Sequence, residues 1–222
     1  KSIALALAAK GYDIALHYHT SPVEADATAA EIAAKGVVCK LFMADLADAS
    51  QCAPLIAQAK TAFPHLSVLV NNASVFDKGS FLESDEAFFR RLFAINVEAP
   101  ILLTRSFAAE AKQGAIVNLL DTYITHDTHS HFYYLLSKKN LAEFTRMAAA
   151  ELAPAIRVNG VAPGYTLPSP GWEEEYRKRL EARLPMGKTA APEDVAQAVY
   201  TLVASPSLTG QILFVDGGQS LL

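Results

Sequence analysis

The stretch Leu66–Ser74, LSVLVNNAS, decides the fold, because a short apolar run ends directly in two asparagines. A nearly continuous apolar run of this length is typical of a strand that is buried on both faces. Such strands belong to parallel sheets that helices cover on both sides. The polar residues that follow Val70 are therefore expected at the carboxyl edge of a sheet, where open α/β folds bind their ligands.

The rest of the chain repeats this alternation of apolar runs and helical patterns. Strands are predicted at Tyr12–His19, Val37–Met43, Leu66–Val70, Ala115–Leu120, Ile156–Val161 and Gln211–Val215. Helices are predicted at Lys1–Ala9, Pro22–Lys35, Ala49–Phe63, Ser84–Ala111, His131–Leu152, Glu173–Arg183 and Pro192–Ala204. Because long helices between strands make right-handed crossovers, the pattern predicts one α/β domain over residues 1–222, with a doubly wound parallel sheet in three layers. Residues 164–190 are expected to form its substrate loop.

Composition and charge exclude several classes of function. The 222 residues are 51% hydrophobic and 19% charged, which is typical of a folded domain and not of a disordered one. A net charge of −4 without a basic patch argues against nucleic acid or an anionic membrane as a partner. No apolar run reaches the ~18 residues that a membrane span needs. Cys39 and Cys52 lack CxxC spacing, which favours free thiols in a reducing, cytoplasmic compartment.

Tyr134 and Lys138 are the strongest candidates for chemistry. Their i, i+4 spacing in a helical stretch places both side chains on one face. A lysine ammonium beside a phenol favours the phenolate and can orient a bound ribose, and a phenol with an ordinary pKa of ~10 can donate a proton near neutral pH. Because this spacing is common in helices, the pair alone leaves open a solvated face without a chemical role.

Four further motifs give this pair a context. Asn71–Ser74 (NNAS) ends a strand, Asn96 lies in a long helix, Ile156–Gly164 (IRVNGVAPG) follows Tyr134 by one helix and one strand, and Val215–Gly218 (VDGG) closes the chain. In this order and spacing the motifs resemble those of the short-chain dehydrogenase/reductase family, along the whole chain. The resemblance implies a Rossmann-like sheet, a nicotinamide cofactor and an active site of Ser, Tyr, Lys and Asn.

The resemblance also implies a role for each matching residue. Tyr134 corresponds to the proton donor, Lys138 to the residue that holds the ribose and tunes the phenol, and Asn96 to the anchor of a proton-relay water. The family's serine, thirteen residues before the tyrosine, is Asp121 in this sequence. The residues expected around the nicotinamide ribose are Asn72, Ala73, Tyr134, Lys138, Pro163 and Gly164.

Asp121 is the departure that indicates a substrate. A serine hydroxyl suits a substrate carbonyl, whereas a carboxylate suits N–H donors such as those of an aminopyrimidine ring. An anion beside Tyr134 also raises the pKa of the phenol and keeps its proton available. Aspartate here resembles the pteridine reductase branch, including bacterial dihydromonapterin reductases, which implies that Ser74 and Phe76 contact a flat pterin. We therefore expect a reductase of pterins or dihydropterins; the alternatives are a carbonyl reductase with Asp121 incidental, an inactive paralogue, and ordinary packing for Phe76.

The segment His17–Ser21 (HYHTS) bears on the choice of cofactor. NAD-specific relatives carry an acid at the end of this strand for the ribose 2′-OH, and this segment has none. A 2′-phosphate is therefore not repelled, and we expect Ser21 and a protonatable His17 to hydrogen-bond it. Asp45 and Leu46, after the next strand, resemble the family's adenine contact. Together these residues predict NADPH as the cofactor.

The opening of the chain differs from the family pattern. The family begins with a strand and a glycine-rich turn that holds the pyrophosphate, and no stretch here matches them. Lys1–Ala4 resembles the segment just past that turn, so we expect the first strand to be missing from this sequence. Without it, two neighbouring strands would keep unpaired backbone groups beside a gap in the core. The chain is then either a fragment of a longer active protein or a cofactor-incompetent non-enzyme.

Two remaining patterns concern metal binding and assembly. His126, His129 and His131 suggest zinc, but they lie in a loop with no thiol near in sequence, so no metal is expected. The long helices Ser84–Ala111 and His131–Leu152 carry more apolar residues than one sheet face can cover. Relatives in the family pair these helices across a two-fold axis, which implies a homo-oligomer, expected to be a homotetramer.

Overall fold

The computed structural model describes residues 1–127, 131–167 and 174–222, and strands and helices alternate along them. The strands are β1 Ile14–Tyr18, β2 Cys39–Met43, β3 Val68–Asn71, β4 Gly114–Leu119, β5 Ile156–Pro163 and β6 Ile212–Val215. The α-helices are α1 Ser2–Ala8, α2 Pro22–Ala33, α3 Cys52–Ala62, α4 Glu86–Phe93, α5 Ala99–Glu110, α6 Phe132–Leu152, α7 Glu174–Glu181 and α8 Pro192–Ala204. Each predicted strand and helix is present, with ends shifted by a few residues; Glu173, the predicted start of α7, lies outside the described residues.

The strands are parallel and form two groups. β1 pairs with β2, and the other four strands pair in the order β3, β4, β5, β6. The register sets Asn71 of β3 opposite Asn118 of β4, and Asn118 opposite Gly160 of β5. This arrangement confirms the predicted parallel α/β class, and it brings the carboxyl ends of β3, β4 and β5 to one edge.

Helices cover both faces of the four-stranded sheet. Ile116 of β4 faces a core formed with α3, α5 and α6, and its neighbour Val117 faces a second core formed with α8. Successive side chains of a strand point to opposite faces, so a strand covered on both sides is mostly apolar, and a buried polar residue such as Asn118 needs hydrogen-bond partners. The predicted three layers are therefore confirmed, and they explain why β4 is apolar on both faces apart from Asn118.

A groove separates β1 from β3. Within residues 1–127, 131–167 and 174–222, β1 pairs with β2 alone and β3 with β4 alone. The groove has a volume of about 320 Å³, and its walls include Ile14 and Leu16 from β1 and Val68 and Val70 from β3. Asn71 also lines it; this side chain is buried, and its Oδ1 accepts no hydrogen bond from any described residue. A largely apolar groove, with Asn71 among its lining residues, thus lies between the two strand edges.

The predicted long helix Ser84–Ala111 contains a change of helical type. It begins after Asp85, whose Oδ1 accepts a hydrogen bond of 2.8 Å from the backbone N–H of Phe88. Between α4 and α5, Ala94–Glu98 forms a π-turn. Among the described residues, the combined helix Glu86–Glu110 is the one long and apolar enough to cross a membrane by length and composition; its α5 part packs against α3 in the core.

Two local features are a turn glycine after α1 and the two cysteines, for which the prediction of free thiols is confirmed. Gly11, just after α1, has a φ of 85°, in the left-handed region that favours glycine at the end of a helix. Cys39 and Cys52 are free thiols, and Cys52 is buried. Gly11 thus allows the chain to turn from α1 into β1.

Candidate active site

The centre of the site is a hydrogen bond between a phenol and a carboxylate. Asp121 follows β4 and caps the 3₁₀ turn Thr122–Thr125, because its Oδ1 accepts a hydrogen bond of 2.8 Å from the N–H of Tyr123. Tyr134 lies in the first turn of α6 and is buried. Its hydroxyl donates to Oδ2 of Asp121 at 2.8 Å. The structure therefore brings together the two residues on which the predicted chemistry depends.

Burial and charge set the protonation of this pair. Burial raises the pKa of Tyr134 well above its ordinary value, and the negative charge and hydrogen bond of Asp121 raise it further. Burial likewise raises the pKa of the Asp121 carboxyl, against the lowering effect of its hydrogen bonds. Tyr134 is therefore a neutral phenol near pH 7, holding a proton that it can donate.

Lys138 lies one helical turn after Tyr134, on the same face of α6. Its Nζ donates a hydrogen bond of 2.8 Å to the carbonyl oxygen of Leu119 and lies 5.8 Å from the centre of the Tyr134 ring. Burial lowers the pKa of Lys138 to about 8, against the opposing effect of Asp121. The ammonium is thus largely protonated at neutral pH, and the end of β4 holds it beside the phenol.

Asn96 lies inside the π-turn and is fully buried. Its Oδ1 accepts hydrogen bonds from the backbone N–H of Val75 at 2.9 Å and from Oγ of Ser74 at 3.1 Å. Its Nδ2 donates to the carbonyl oxygen of Val75 at 3.0 Å and to Oγ of Ser137 at 3.1 Å. π-turns occur often at functional sites. This π-turn places the amide of Asn96 between the loop after β3 and α6, the helix that carries Tyr134, and the amide hydrogen-bonds to both.

Phe76 forms an aromatic cluster with two side chains of the α6 start. Its ring stacks on His131, with centroids 4.5 Å apart and planes within 7°. The same ring meets Tyr134 edge to face, at 4.6 Å and 83°. Phe76 is 42% exposed, so the cluster forms part of the surface of the site. The sequence left open whether Phe76 packs or contacts substrate. In the structure it packs against His131 and Tyr134 and still has an exposed part that is open to a substrate.

Pro163 and Gly164 end β5 next to the last segment of the chain. The N–H of Gly164 donates to the carbonyl oxygen of Val215 at 3.0 Å, and a Cβ at Gly164 would lie 2.8 Å from Cα of Asp216. Only glycine fits at this distance. Asp216 in turn accepts a hydrogen bond of 2.6 Å from Oγ1 of Thr122. The chain end therefore ties the Pro163–Gly164 corner to the turn that carries Asp121.

The predicted adenosine-side residues, at or just past the ends of β1 and β2, are His17, Ser21, Asp45 and Leu46. Nε2 of His17 lies 2.9 Å from the carbonyl oxygen of Ala44, and burial lowers the pKa of this imidazole. The ring is therefore neutral and directed at strand β2. Ser21 is exposed before α2, and Asp45 lies 3.9 Å from His19. Leu46 is buried and lines the same groove as Asn72 and Ala73.

The comparisons with known proteins agree with this geometry. A family model described as enoyl-(acyl carrier protein) reductase matches residues 1–220. The chain belongs to the short-chain dehydrogenase/reductase family. An uncharacterized oxidoreductase of Mycobacterium tuberculosis is 34% identical over 228 residues, covering 98% of this chain and 86% of that protein. A 3-oxoacyl-[acyl-carrier-protein] reductase FabG of Staphylococcus aureus is 29% identical, covering 98% and 92%.

Solved structures of similar proteins superpose closely on the chain. FolM alternative dihydrofolate reductase 1 from Brucella canis, complexed with NADP, has a TM-score of 0.94 and 32% identity, covering 100% of this chain and 89% of that one. A short-chain dehydrogenase/reductase from Serratia marcescens has a TM-score of 0.93 and 29% identity, covering 99% and 92%. The Rossmann-like fold inferred from the motifs is thereby confirmed.

Sequence reasoning missed three contributors to this short-chain dehydrogenase/reductase site. Ser137 binds Asn96, and Thr122 binds Asp216, through contacts far apart in the chain that no local pattern reveals. His131 was predicted only as one of the three histidines of the zinc-like pattern. Its position three residues before Tyr134, one helical turn away, is the signal that would have placed it in the site.

The described residues contain no cluster of side chains that would bind a metal ion. Within residues 1–127, 131–167 and 174–222, no group of three His, Cys, Asp or Glu side chains could hold a metal ion. His129, one of the three histidines of the zinc-like pattern, lies outside those residues. The groups that the site offers for catalysis are a protonated phenol, a carboxylate, an ammonium and an amide.

Proposed function

We propose that the protein is an NADPH-dependent reductase of pterins or dihydropterins. The observation that carries this proposal is the 2.8 Å hydrogen bond between the Tyr134 hydroxyl and Oδ2 of Asp121. A carboxylate accepts hydrogen bonds, so it suits the N–H groups of an aminopyrimidine ring and offers nothing to a ketone oxygen. The similarity to the Brucella structures described as alternative dihydrofolate reductases supports the same substrate class.

The donor groups of the site fit a nicotinamide dinucleotide. The ammonium of Lys138 has three donors, and the described structure uses one of them for Leu119, which leaves two for ribose hydroxyls. The segment His17–Ser21 itself contains no carboxylate, and its last residue, Ser21, is exposed and open to a 2′-phosphate. The FolM structure from Brucella canis is complexed with NADP. When bound, the reduced cofactor would supply the hydride.

The chain's own residues would manage the proton. Tyr134 would protonate the ring nitrogen next to the reduced carbon, since its high pKa keeps the proton on the phenol until transfer. The positive charge of Lys138 would stabilise the phenolate that remains. Asp121 would hold the ring through its N–H groups, and Ser74 and Phe76 would contact its edge and face. The side-chain amide of Asn96 already makes four hydrogen bonds, so it would hold Ser74 and Val75 in place rather than anchor the proton-relay water expected from the sequence.

A carbonyl reductase is the second candidate. The relatives with 29–30% identity described as 3-oxoacyl-[acyl-carrier-protein] reductases favour it. In that case Asp121 would have no contact with substrate. Comparing kcat/KM for a dihydropterin with kcat/KM for a 3-oxoacyl thioester, at one NADPH concentration, separates the two candidates.

Asp121→Ser is expected to lower kcat/KM for a dihydropterin by about 10- to 100-fold, because a hydrogen bond to a charged group contributes about 1.5–3 kcal/mol. The dissociation constant of NADPH should change little, since the carboxylate faces the substrate. Steady-state kinetics and a fluorescence titration measure the two quantities. Asp127→Ser is the matched control, because this carboxylate is exposed and pairs with Lys139. Equal losses in turnover and cofactor binding would contradict the substrate role of Asp121.

We propose further that the enzyme is a cytoplasmic homotetramer. Leu136 and Met147, three turns apart on one face of α6, are large apolar side chains exposed by 37% and 71%, beside the polar Asn140 and Glu143. A second chain packed on this face would cover both apolar side chains. Light scattering at micromolar concentration is expected to give four times the chain mass of 23.9 kDa. Met147→Glu should shift the mass downward, whereas Lys139→Glu at a less apolar position should not. A wild-type monomer would refute the assembly.

A further inference from the structure

A second cleft, of about 710 Å³, includes Tyr123 of the turn that follows Asp121. Its walls come from the 3₁₀ turn Thr122–Thr125, from α7 and from the last turn of the chain. Tyr123 belongs to the cleft, and its backbone N–H donates to Oδ1 of Asp121 at 2.8 Å. The cleft therefore begins two residues from the carboxylate that would hold the substrate ring, and its size is typical of a small-molecule site.

Two guanidinium groups face this cleft. Arg179 on α7 and Arg183 one turn later are exposed and line it together. The other cations of α7 are paired, Arg177 and Lys178 both with Glu174. Neither Arg179 nor Arg183 forms an ion pair with a carboxylate of the described chain. In a protein whose net charge is −4, two adjacent cations without acidic partners form a local site for an anion.

The other side chains that line the cleft are aromatic, aliphatic or an amide, and none of them is a carboxylate. The rings of Tyr123 and His126 meet edge to face, with centroids 5.9 Å apart. Burial raises the pKa of Tyr176 to about 12, and its interactions with Tyr123 raise it too, so this phenol is neutral. Leu222 also lines the cleft, and a single terminal carboxylate there would still leave the two guanidinium charges in excess. An aryl ring joined to carboxylates matches such a surface.

We propose that this cleft is a subsite for the anionic tail of a conjugated pterin, in which an aryl group links the ring to carboxylates, as in a folate. The inference rests on the proposed function, because it requires the pterin ring at Asp121. A pterin with a short neutral side chain has no anionic group for the arginines to bind. The enzyme would therefore prefer dihydrofolate over a dihydropterin with a short neutral side chain.

The test is the double variant Arg179→Gln/Arg183→Gln, assayed with dihydrofolate and with dihydrobiopterin. Loss of charge-assisted hydrogen bonds should raise KM for dihydrofolate by at least about tenfold. KM for dihydrobiopterin, kcat for both substrates and the dissociation constant of NADPH should stay close to wild type. Lys178→Gln removes a cation of the same helix that does not line the cleft, and it should leave KM for dihydrofolate unchanged. p-Aminobenzoylglutamate, the tail alone, should inhibit the wild-type enzyme and not the double variant.

The outcomes separate the subsite from the proposed function. If KM rises equally for both pterins, the arginines act through the fold and the subsite is refuted. If p-aminobenzoylglutamate neither binds nor inhibits while dihydrobiopterin is reduced, the subsite is refuted and the pterin reductase stands. If the wild-type enzyme reduces neither pterin, the proposed function fails, and with it the assignment of the cleft to a pterin's tail.

Discussion

Tyr134→Phe is expected to lower kcat for pterin reduction by about 10²- to 10⁴-fold, the range that one positioned proton donor contributes. The substitution removes the hydroxyl and nothing else, and this hydroxyl is the group within 2.8 Å of Asp121. Burial already raises the pKa of the Asp121 carboxyl, so it can take up a proton when its partner is lost. Circular dichroism and thermal unfolding should therefore show an intact fold, and single-turnover kinetics should show the loss in the chemical step.

The neighbouring residue provides a matched control for this prediction. Tyr133→Phe removes a phenol hydroxyl from the same helical turn, where it donates to the carbonyl oxygen of Phe81 and does not contact Asp121. Its activity should stay close to wild type. If Tyr134→Phe retains near wild-type kcat, then water or another acid supplies the proton and the mechanism is wrong.

A version of the protein extended at its N-terminus by a β-strand and a glycine-rich turn is expected to bind NADPH at least about a hundredfold more tightly than residues 1–222. The added strand would fill the groove between β1 and β3, where Asn71 presents a buried Oδ1 without a donor among the described residues. The added turn would offer backbone N–H groups to the pyrophosphate. Two hydrogen bonds to a charged group contribute about 3–6 kcal/mol, and each 1.4 kcal/mol is about tenfold.

Fluorescence titration of both proteins in one buffer measures this difference. An extended version with valines in place of the turn glycines is the control: it should keep the gain in thermal stability from the filled groove and lose most of the gain in affinity. Matching dissociation constants for the extended protein and residues 1–222 would show that the chain holds its cofactor by other groups, and the assignment of Lys1–Ala4 to the first helix would be wrong.

The fold was predictable because its signals are local. β4 is apolar on both faces, and the helical stretches carry long runs of helix formers between glycine and proline boundaries. The π-turn was not predictable, since Ala94–Glu98 (AINVE) has nothing in its composition that distinguishes it from an α-helix. Its geometry depends on the contacts of Asn96 with Val75 and Ser137, residues 21 and 41 positions away.

The site was predictable where spacing carries geometry. The i, i+4 relation of Tyr134 and Lys138 is a property of the helix itself, and Asp121 follows a strand whose end the sequence marks clearly. The orientation of His17 was different, because only the tertiary structure shows that Nε2 turns to the carbonyl oxygen of Ala44. Likewise, the sequence offers no sign that the stacked partner of Phe76 is His131.

The π-turn makes the helix Glu86–Glu110 sensitive to residue count as well as to residue identity. A π-turn holds one residue more than an α-turn, and each residue of an α-helix advances the face by about 100°. Deleting one residue from Ala94–Glu98 would therefore restore an α-turn, which keeps α4 against α6 and the contact of Phe89 with Tyr133 at 5.4 Å but turns the amide of Asn96 away from Val75 and Ser137. In evolutionary terms, loss of one residue here would harm the site more than the fold, so the length of this helix is expected to be kept for as long as the site is used.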